Sequence, residues 1–269
     1  MKKDLNVNFP EIQKRRRRRK FFFKSGFGLL LFGLAIFGVI RVVFYSPIFK
    51  FDHVVLSASD PEKEKILSLL EKKITQGSFL TRALGFKNFL AWPSQIQSQE
   101  LAALPELESL TIEKNYQEKT VTITPVERQP SGIWCLEKNV PAECFWFNDQ
   151  GLIFRESLAV SGNLIRVVSD YYQEHLVVGN QVLPDAFLSN FLSIFHVLTE
   201  SDFSILEIAL KDLSQEEIEV KTSAGPKIYF SLRHPADHYL AALKSLTQNP
   251  KFNRLEYVDF RIENRVYYK

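Results

Sequence analysis

Sixteen residues from Ser25 to Ile40 carry no charge, with Lys24 before them and Arg41 after. With its flanks this stretch reaches roughly 20 to 25 residues, enough at 1.5 Å per residue to cross a hydrocarbon core about 30 Å thick. The pattern predicts a transmembrane helix over residues 25–45. Beyond it the spacing of apolar positions changes twice. Phe49 to Leu56 alternates as a strand does, and Ile66, Leu67, Leu70 and Ile74 recur at helical spacing behind an Asp60-Pro61 start signal. Ser78 to Trp92 is aromatic and irregular, and Trp92-Pro93-Ser94 opens a short predicted helix through Ala103. Leu107 to Lys114 and Thr120 to Val126 then alternate around Asn115-Tyr116-Gln117, a hairpin. The predicted order is strand, helix, helix, strand, strand.

After Glu127-Arg128-Gln129-Pro130 the pattern is mainly one of strands. Gly132–Cys135, Cys144–Asn148, Leu152–Arg155 and 164–168 are short strands, with Asp149-Gln150-Gly151 as one of the turns. In that turn the Asp149 side chain is expected to cap backbone amides. Phe187, Phe191, Ile194, Phe195 and Leu198 mark a helix over Leu183–Thr199, and His196 among them is expected to be partly buried. Ser204–Leu210, Ile218–Thr222 and Lys227–Leu232 alternate again. Tyr239, Leu240, Leu243 and Leu246 give a helix over Ala236–Gln248, and Leu255–Ile262 with Val266–Lys269 closes the pattern. The fold class expected is α+β, a single membrane helix followed by a β-α-α-β-β part and a mainly antiparallel β part with two covering helices.

Charge fixes the expected topology. Residues 1–45 hold 11 Lys and Arg against 2 Asp and Glu, including the unbroken basic run Lys14–Lys20. By the positive-inside rule this short tail stays in the cytoplasm and the remainder lies outside. A cleavable signal needs small residues at its cleavage site, and Arg41-Val42-Val43-Phe44-Tyr45-Ser46-Pro47 offers no such pair. The helix is therefore read as a retained anchor. The tail is read as a topology determinant, compatible with contact to anionic lipid, in preference to a nucleic-acid patch. No two of Gly26, Gly28, Gly33 and Gly38 stand four apart, so a glycine-driven helix dimer has little support. Residues 46–269 carry 23 basic and 29 acidic side chains, an external part with no charge reason to seek nucleic acid.

Candidate chemistry is sparse. Cys135 and Cys144 flank a turn signal at Asn139-Val140-Pro141 and either pair as a disulfide on adjacent strands or remain two buried thiols. His234 and His238 stand at metal spacing, yet Pro235 puts His234 at the helix start, and a solvated helix end is the plainer reading. Asp149, Asp170 and Asp259 form no evident catalytic pair. Asp259 and Arg261 share a strand face as an ion pair, and Glu127 with Arg128 reads likewise as a strand-end pair. No cofactor or metal is expected, and the chain is not expected to be an enzyme. The closing strand, ending Tyr267-Tyr268-Lys269, is either a docking rail, because exposed sheet edges carry unpaired backbone groups, or a strand simply paired inside the sheet.

The order of several short motifs resembles the bacterial cell-division family FtsQ, called DivIB in Gram-positive organisms. Ser46-Pro47-Ile48-Phe49 before Phe51-Asp52-His53-Val54 is similar to the family's entry into its POTRA domain, and Leu104-Pro105-Glu106-Leu107 to the lead into its second strand. Glu127-Arg128-Gln129-Pro130 with Trp134 resembles the domain junction, and Asp149-Gln150-Gly151-Leu152-Ile153-Phe154 the first hairpin of the β domain. Tyr257-Val258-Asp259-Phe260-Arg261 and Arg265-Val266-Tyr267-Tyr268-Lys269 resemble the family's end. Three features depart from it: the aromatic segment Phe79–Trp92, Pro125 within the last POTRA strand, and the cysteine pair.

The resemblance implies a tail over 1–24, a membrane helix over 25–45, a POTRA-like domain over 46–128 and a β domain over 129–269. Glu127, Arg128 and Pro130 would mark the junction. It further implies a non-enzymatic, single-pass scaffold of the division septum in the cell (inner) membrane, linking early and late division proteins and regulating septal peptidoglycan synthesis. Its partners would be FtsB-like and FtsL-like proteins, with further division components on the POTRA-like domain. Tyr257, Val258, Phe260, Arg261, Ile262, Val266, Tyr267 and Tyr268 would supply the partner surface. Two other classes stand beside this reading. A membrane-tethered cell-wall enzyme would need a polar cluster in a cleft. A POTRA-bearing transport component would be expected to continue into a long barrel sequence, which does not follow Lys269.

Overall fold

A computed structural model describes residues 9–57, 60–159, 165–201 and 203–269, and of residues 9–25, 60 and 61 the backbone alone. The side chains of the basic tail and of Asp60 thus lie outside the described residues. Helix α1 spans Phe9–Tyr45, so the basic run and the apolar stretch form one element, longer than the helix predicted over 25–45. Its segment Gly26–Tyr45, with mean hydropathy 2.5, is long and apolar enough to cross a bilayer. The helix stops where Ser46 and Pro47 open a 3-10 turn, the Ser46 hydroxyl accepting from the Ile48 amide.

By internal contacts the chain divides into two units, residues 1–95 with 111–124, and residues 96–110 with 125–269. A four-stranded sheet has the order β1-β4-β3-β2, where β1 is His53–Leu56, β2 Gln95–Gln97, β3 Leu107–Asn115 and β4 Thr120–Glu127. Strand β1 runs parallel to β4, from His53↔Thr120 to Leu56↔Ile123. Pro125 falls beyond the last of these pairs, so its missing N–H removes no bond of that ladder. Helix α2, Asp60–Gln76, buries Ile66, Leu70 and Ile74, one residue per turn on a single face.

The second helix lies elsewhere than predicted. Ser78 caps a short helix α3, Phe79–Leu84, its hydroxyl accepting from the Thr81 amide. The residues predicted as a helix after Trp92 instead form β2 and a 3-10 turn at Ser98–Glu100. Backbone pairing decides this, since the Ile112 amide donates to the Ser94 carbonyl and Ile96 is fully buried.

The larger sheet has nine strands in the order β13-β12-β11-β10-β9-β8-β5-β6-β7. They are β5 Gly132–Leu136, β6 Glu143–Phe147, β7 Ile153–Ser157, β8 Val167–Asp170, β9 Ile205–Leu210, β10 Glu217–Thr222, β11 Lys227–Ser231, β12 Tyr257–Phe260 and β13 Tyr267–Tyr268. The expected antiparallel character is only partly met, and the sheet is mixed. Strands β5 and β8, β8 and β9, and β11 and β12 pair in parallel. Two of these parallel pairs enclose the helices α4, Asp185–Thr199, and α5, Leu240–Thr247, as crossovers. One core joins the helices to one sheet face through Trp134, Phe147, Phe191, Phe230, Leu243 and Phe260. Each such side chain contributes roughly 2 kcal/mol on burial. Close packing also selects Gly132, where a Cβ would stand 2.8 Å from the Phe195 ring.

Two polar residues behave differently from expectation. Asn148 rather than Asp149 caps the β6–β7 turn, its carbonyl oxygen accepting from the amides of Gln150 and Leu152, while Gly151 takes a positive φ of 72°. His196 is exposed on α4, its Nδ1 3.5 Å from Asp237 Oδ1. Helical spacing puts Phe195 and Leu198 inward and turns residue 196 away.

Asp170 is fully buried at the end of β8 and accepts from the Trp134 indole at 2.9 Å, from the amides of Tyr172 and Gln173, and from the Gln173 side chain. Asp170→Ala strands the buried indole N–H and opens the turn. Urea unfolding of the variant is expected to show a loss of about 3 kcal/mol.

Cys135 and Cys144 stand directly opposite each other on β5 and β6 and are joined by a disulfide. They sit on the sheet face away from the helices, beside Ile133, Trp146 and Val167. So short a closed loop is worth about 2–3 kcal/mol on a chain-entropy basis. The double variant Cys135→Ser, Cys144→Ser is expected to unfold earlier in urea by that amount.

Candidate partner-binding edge

A sheet that does not close has two margins, and this one treats them differently. At β7 the backbone of a following loop covers the start of the strand. The Ile153 amide donates to the Asn180 carbonyl and the Gly179 amide donates to the Ile153 carbonyl, both at 2.8 Å. At the other margin β13 pairs antiparallel with β12, Asp259 opposite Tyr267 and Val258 opposite Tyr268. Among the described residues no strand lies beyond it. Lys269 turns both backbone groups toward β12, its amide donating to Tyr257 and its carbonyl accepting from Glu256. Inward and outward residues alternate in an antiparallel pair, so the N–H and C=O of Tyr268 point away from the sheet.

Burial separates the eight predicted surface residues. Val258 and Phe260 are fully buried, with Phe260 stacked on Phe230 at 5.1 Å. As β12 is flanked by both β11 and β13, neither its inward side chains nor its backbone ladder offers a surface. This corrects the expectation for those two residues, which belong to the core. Tyr257 is half-buried, and Val266 packs partly buried against the core. Ile262, Tyr267 and Tyr268 are exposed, at 53%, 42% and 59%. Tyr268 shares the face of Val258, while Tyr267 lies opposite Asp259 on the other face and accepts from Arg265 Nη1. An aromatic side chain therefore stands on each side of the margin.

The turn into β13 is held from outside the strand. The Tyr239 hydroxyl donates to the Ile262 carbonyl at 3.2 Å and accepts from the Asn264 amide at 3.0 Å. Burial outweighs the opposing help of the Asn264 amide and leaves the phenol harder to ionise than usual. His234 and His238 both sit on Tyr239, their own rings 6.4 Å apart. Among the described residues no group of three potential metal ligands converges. Sequence reasoning missed Tyr239 because its partners lie more than twenty residues away and no local pattern links them.

Arg261 grips Asp259 with two nitrogens, at 3.0 and 2.7 Å, reaches Glu217 at 2.8 Å and lies 4.9 Å from the Tyr229 ring centroid. The hydrogen bonds it donates to Asp259, and then to Glu217, raise its pKa further. For Asp259, burial pushes the carboxyl up, and the Arg261 donors more than offset this, leaving it below its ordinary value. The rest of this face is a lattice of pairs, Lys221 with Glu207 and Lys211 with Glu219. Tyr171 donates to Glu207 and is pushed up to about 12, chiefly by that bond. Glu219 Oε1 lacks an aligned hydrogen bond but has Lys227 Nζ at 3.4 Å, an ion pair out of line. A shallow cleft of about 310 Å³ beside β12 includes Glu216, Glu217, Arg233 and Arg261, whose charges are engaged with one another.

The junction residues also have a definite geometry. Arg128 is buried, its Nε donating to the Pro105 carbonyl, its Nη2 to Leu107 and its amide to Glu106. It thus serves three backbone carbonyls, where a pair with Glu127 was expected. Glu127 ends β4 and is exposed, as is Pro130.

No family model and no curated protein matches this sequence.

A carboxyl with a depressed folded pKa contributes stability above its unfolded value, about 3.9, and loses it as pH falls through the folded value. The stability difference between the protein and Asp259→Asn is therefore expected to be constant at neutral pH and to shrink as pH falls below about 4. Because the Arg261 side chain is 43% exposed, solvent screening keeps that difference under about 1 kcal/mol. Urea unfolding across pH 2–7 at constant ionic strength checks it.

Proposed function

We propose that this chain is a membrane-tethered, non-enzymatic scaffold that receives an extended segment of a partner protein at β13. In this reading it acts in bacterial cell division as the FtsQ/DivIB family does, its partners resembling FtsB and FtsL. The observation that carries the proposal is the open margin at Tyr268, with outward backbone groups between two exposed tyrosines. Strand addition uses such a margin, backbone bonds supplying affinity and flanking side chains selectivity. The motif order from Ser46 to Lys269 supports the family reading, as does the succession β1-α2-α3-β3-β4 in the POTRA-like part. The strand β2 is an addition to that order.

The tether has a thermodynamic role. Confinement of both partners to one bilayer raises their effective concentration, so a short strand pairing suffices to hold them. Tail inside and domains outside follows from the basic tail. The POTRA-like part would serve recruitment of further division components.

Removing Leu255–Lys269 would take Val258 and Phe260 out of the core, so a gentler variant separates docking from folding. Tyr268→Pro deletes an outward N–H that β12 does not use, and edge strands tolerate proline on that side. Co-purification of the full chain with the FtsB-like and FtsL-like proteins of the same organism is expected to fall about tenfold or more with Tyr268→Pro, with an unchanged urea midpoint. Equal recovery would remove β13 as the docking site. A fluorescent fusion spread evenly around dividing cells would remove the division role.

A further inference from the structure

The segment Phe79–Trp92 has two faces, and only one is used by the fold. Its inner face is an aromatic knot. Phe51 meets Trp92 at 5.4 Å, Phe86 meets Trp92 at 4.9 Å, Phe89 meets Tyr116 at 4.5 Å, and the Trp92 indole donates to the Phe86 carbonyl at 2.7 Å. Its outer face leaves Phe79 and Leu80 exposed at 76% and 64%. Burying two such side chains would contribute several kcal/mol, roughly 2 kcal/mol each.

The position of this outer face relative to α1 decides what can cover it. Asn88 is almost fully buried, and its side-chain amide donates to the carbonyl of Val43 at 3.1 Å, in the last turn of the apolar stretch. Helix α3 lies against α1. If Gly26–Tyr45 fills the hydrocarbon core, Val43 sits at its boundary, and a group hydrogen-bonded to Val43 sits at the same level. Charge agrees with this. The external part is acidic as a whole, yet residues 77–99 contain no Asp or Glu and hold Arg82 and Lys87, and residues 41–51 hold Arg41 and Lys50 with no acid. Exposed apolar residues in a segment that holds cations and no acids are the signature of a helix that lies in a bilayer interface.

We infer that α3 is an interfacial foot: Phe79 and Leu80 insert among the headgroups of the bilayer that α1 crosses, with Arg82 and Lys87 meeting lipid phosphates. The contact makes a second attachment beside the span and limits the tilt of residues 46–95 at the membrane surface. The inference rests on α1 being a membrane span and is independent of the partner at β13.

The test uses the full chain reconstituted in vesicles of phosphatidylcholine and phosphatidylglycerol. Ala83 is exposed one turn on from Phe79, so Ala83→Cys carries an environment-sensitive fluorophore without touching the foot. Both native cysteines are tied in their disulfide, which keeps the labelling specific. Nitroxide lipids labelled near the headgroup are expected to quench this probe at least about twofold more than the same probe at the exposed Val140→Cys. Phe79→Glu with Leu80→Glu is expected to abolish the excess. Quenching at 83 no greater than at 140, or unaffected by the two glutamates, overturns the inference and points to a protein covering the patch. Flotation with vesicles at alkaline pH reports the span separately. Retention without quenching removes the foot alone, and release removes both.

Discussion

A β-sheet that stays open must do something with the backbone groups at its two ends. In this protein a loop laid along Ile153 pairs the start of one edge strand of the nine-stranded sheet, and at the other edge Tyr268 faces outward. The rest of the unit is arranged around that asymmetry. Helices α4 and α5 occupy the two crossovers β8-α4-β9 and β11-α5-β12, so both fall on one face and bury it. On the opposite face Lys211 pairs with Glu219, Lys221 with Glu207 and Arg261 with Glu217. Strand β12 is thereby fixed on both sides, and β13 becomes the single layer between the core and whatever lies beyond.

Two reinforcements hold that layer. Tyr239 clasps the turn at Ile262 and Asn264 through one hydroxyl, and Arg261 locks Asp259 and Glu217 together across β12 and β10. Both act on elements next to β13 and leave its outward groups untouched. The disulfide is different in kind. It joins β5 and β6 near the other end of the sheet, so it stabilises the unit without shaping the margin.

Much of the fold could be read from periodicity. The helical spacing of Ile66, Leu70 and Ile74, and of Phe191, Ile194, Phe195 and Leu198, placed α2 and α4 within two or three residues. The strands from β3 to β13 followed from alternation and turn residues. What failed has identifiable causes. Strand β2 reads as a helix because a Trp-Pro-Ser start mimics a cap, whereas the Ile112 amide requires the Ser94 carbonyl. Parallel pairing of β8 with β9 was illegible because alternation reports a face and never the direction of a neighbour. Val258 and Phe260 were assigned to the surface because a strand near the end of a pattern looks like an edge, and only the extra pairing with β13 puts them inside. Arg128 lost its expected partner to carbonyls some twenty residues upstream, a contact no local reading supplies.

The clasp at Tyr239 has a kinetic side. A turn already fixed by a buried phenol and a strand already in register need no rearrangement before an incoming segment can pair, so the ordering entropy of the encounter falls on the newcomer. In the proposed role, capture would then be governed by how often a flexible tail straightens, and its release by how firmly two tyrosines retain it.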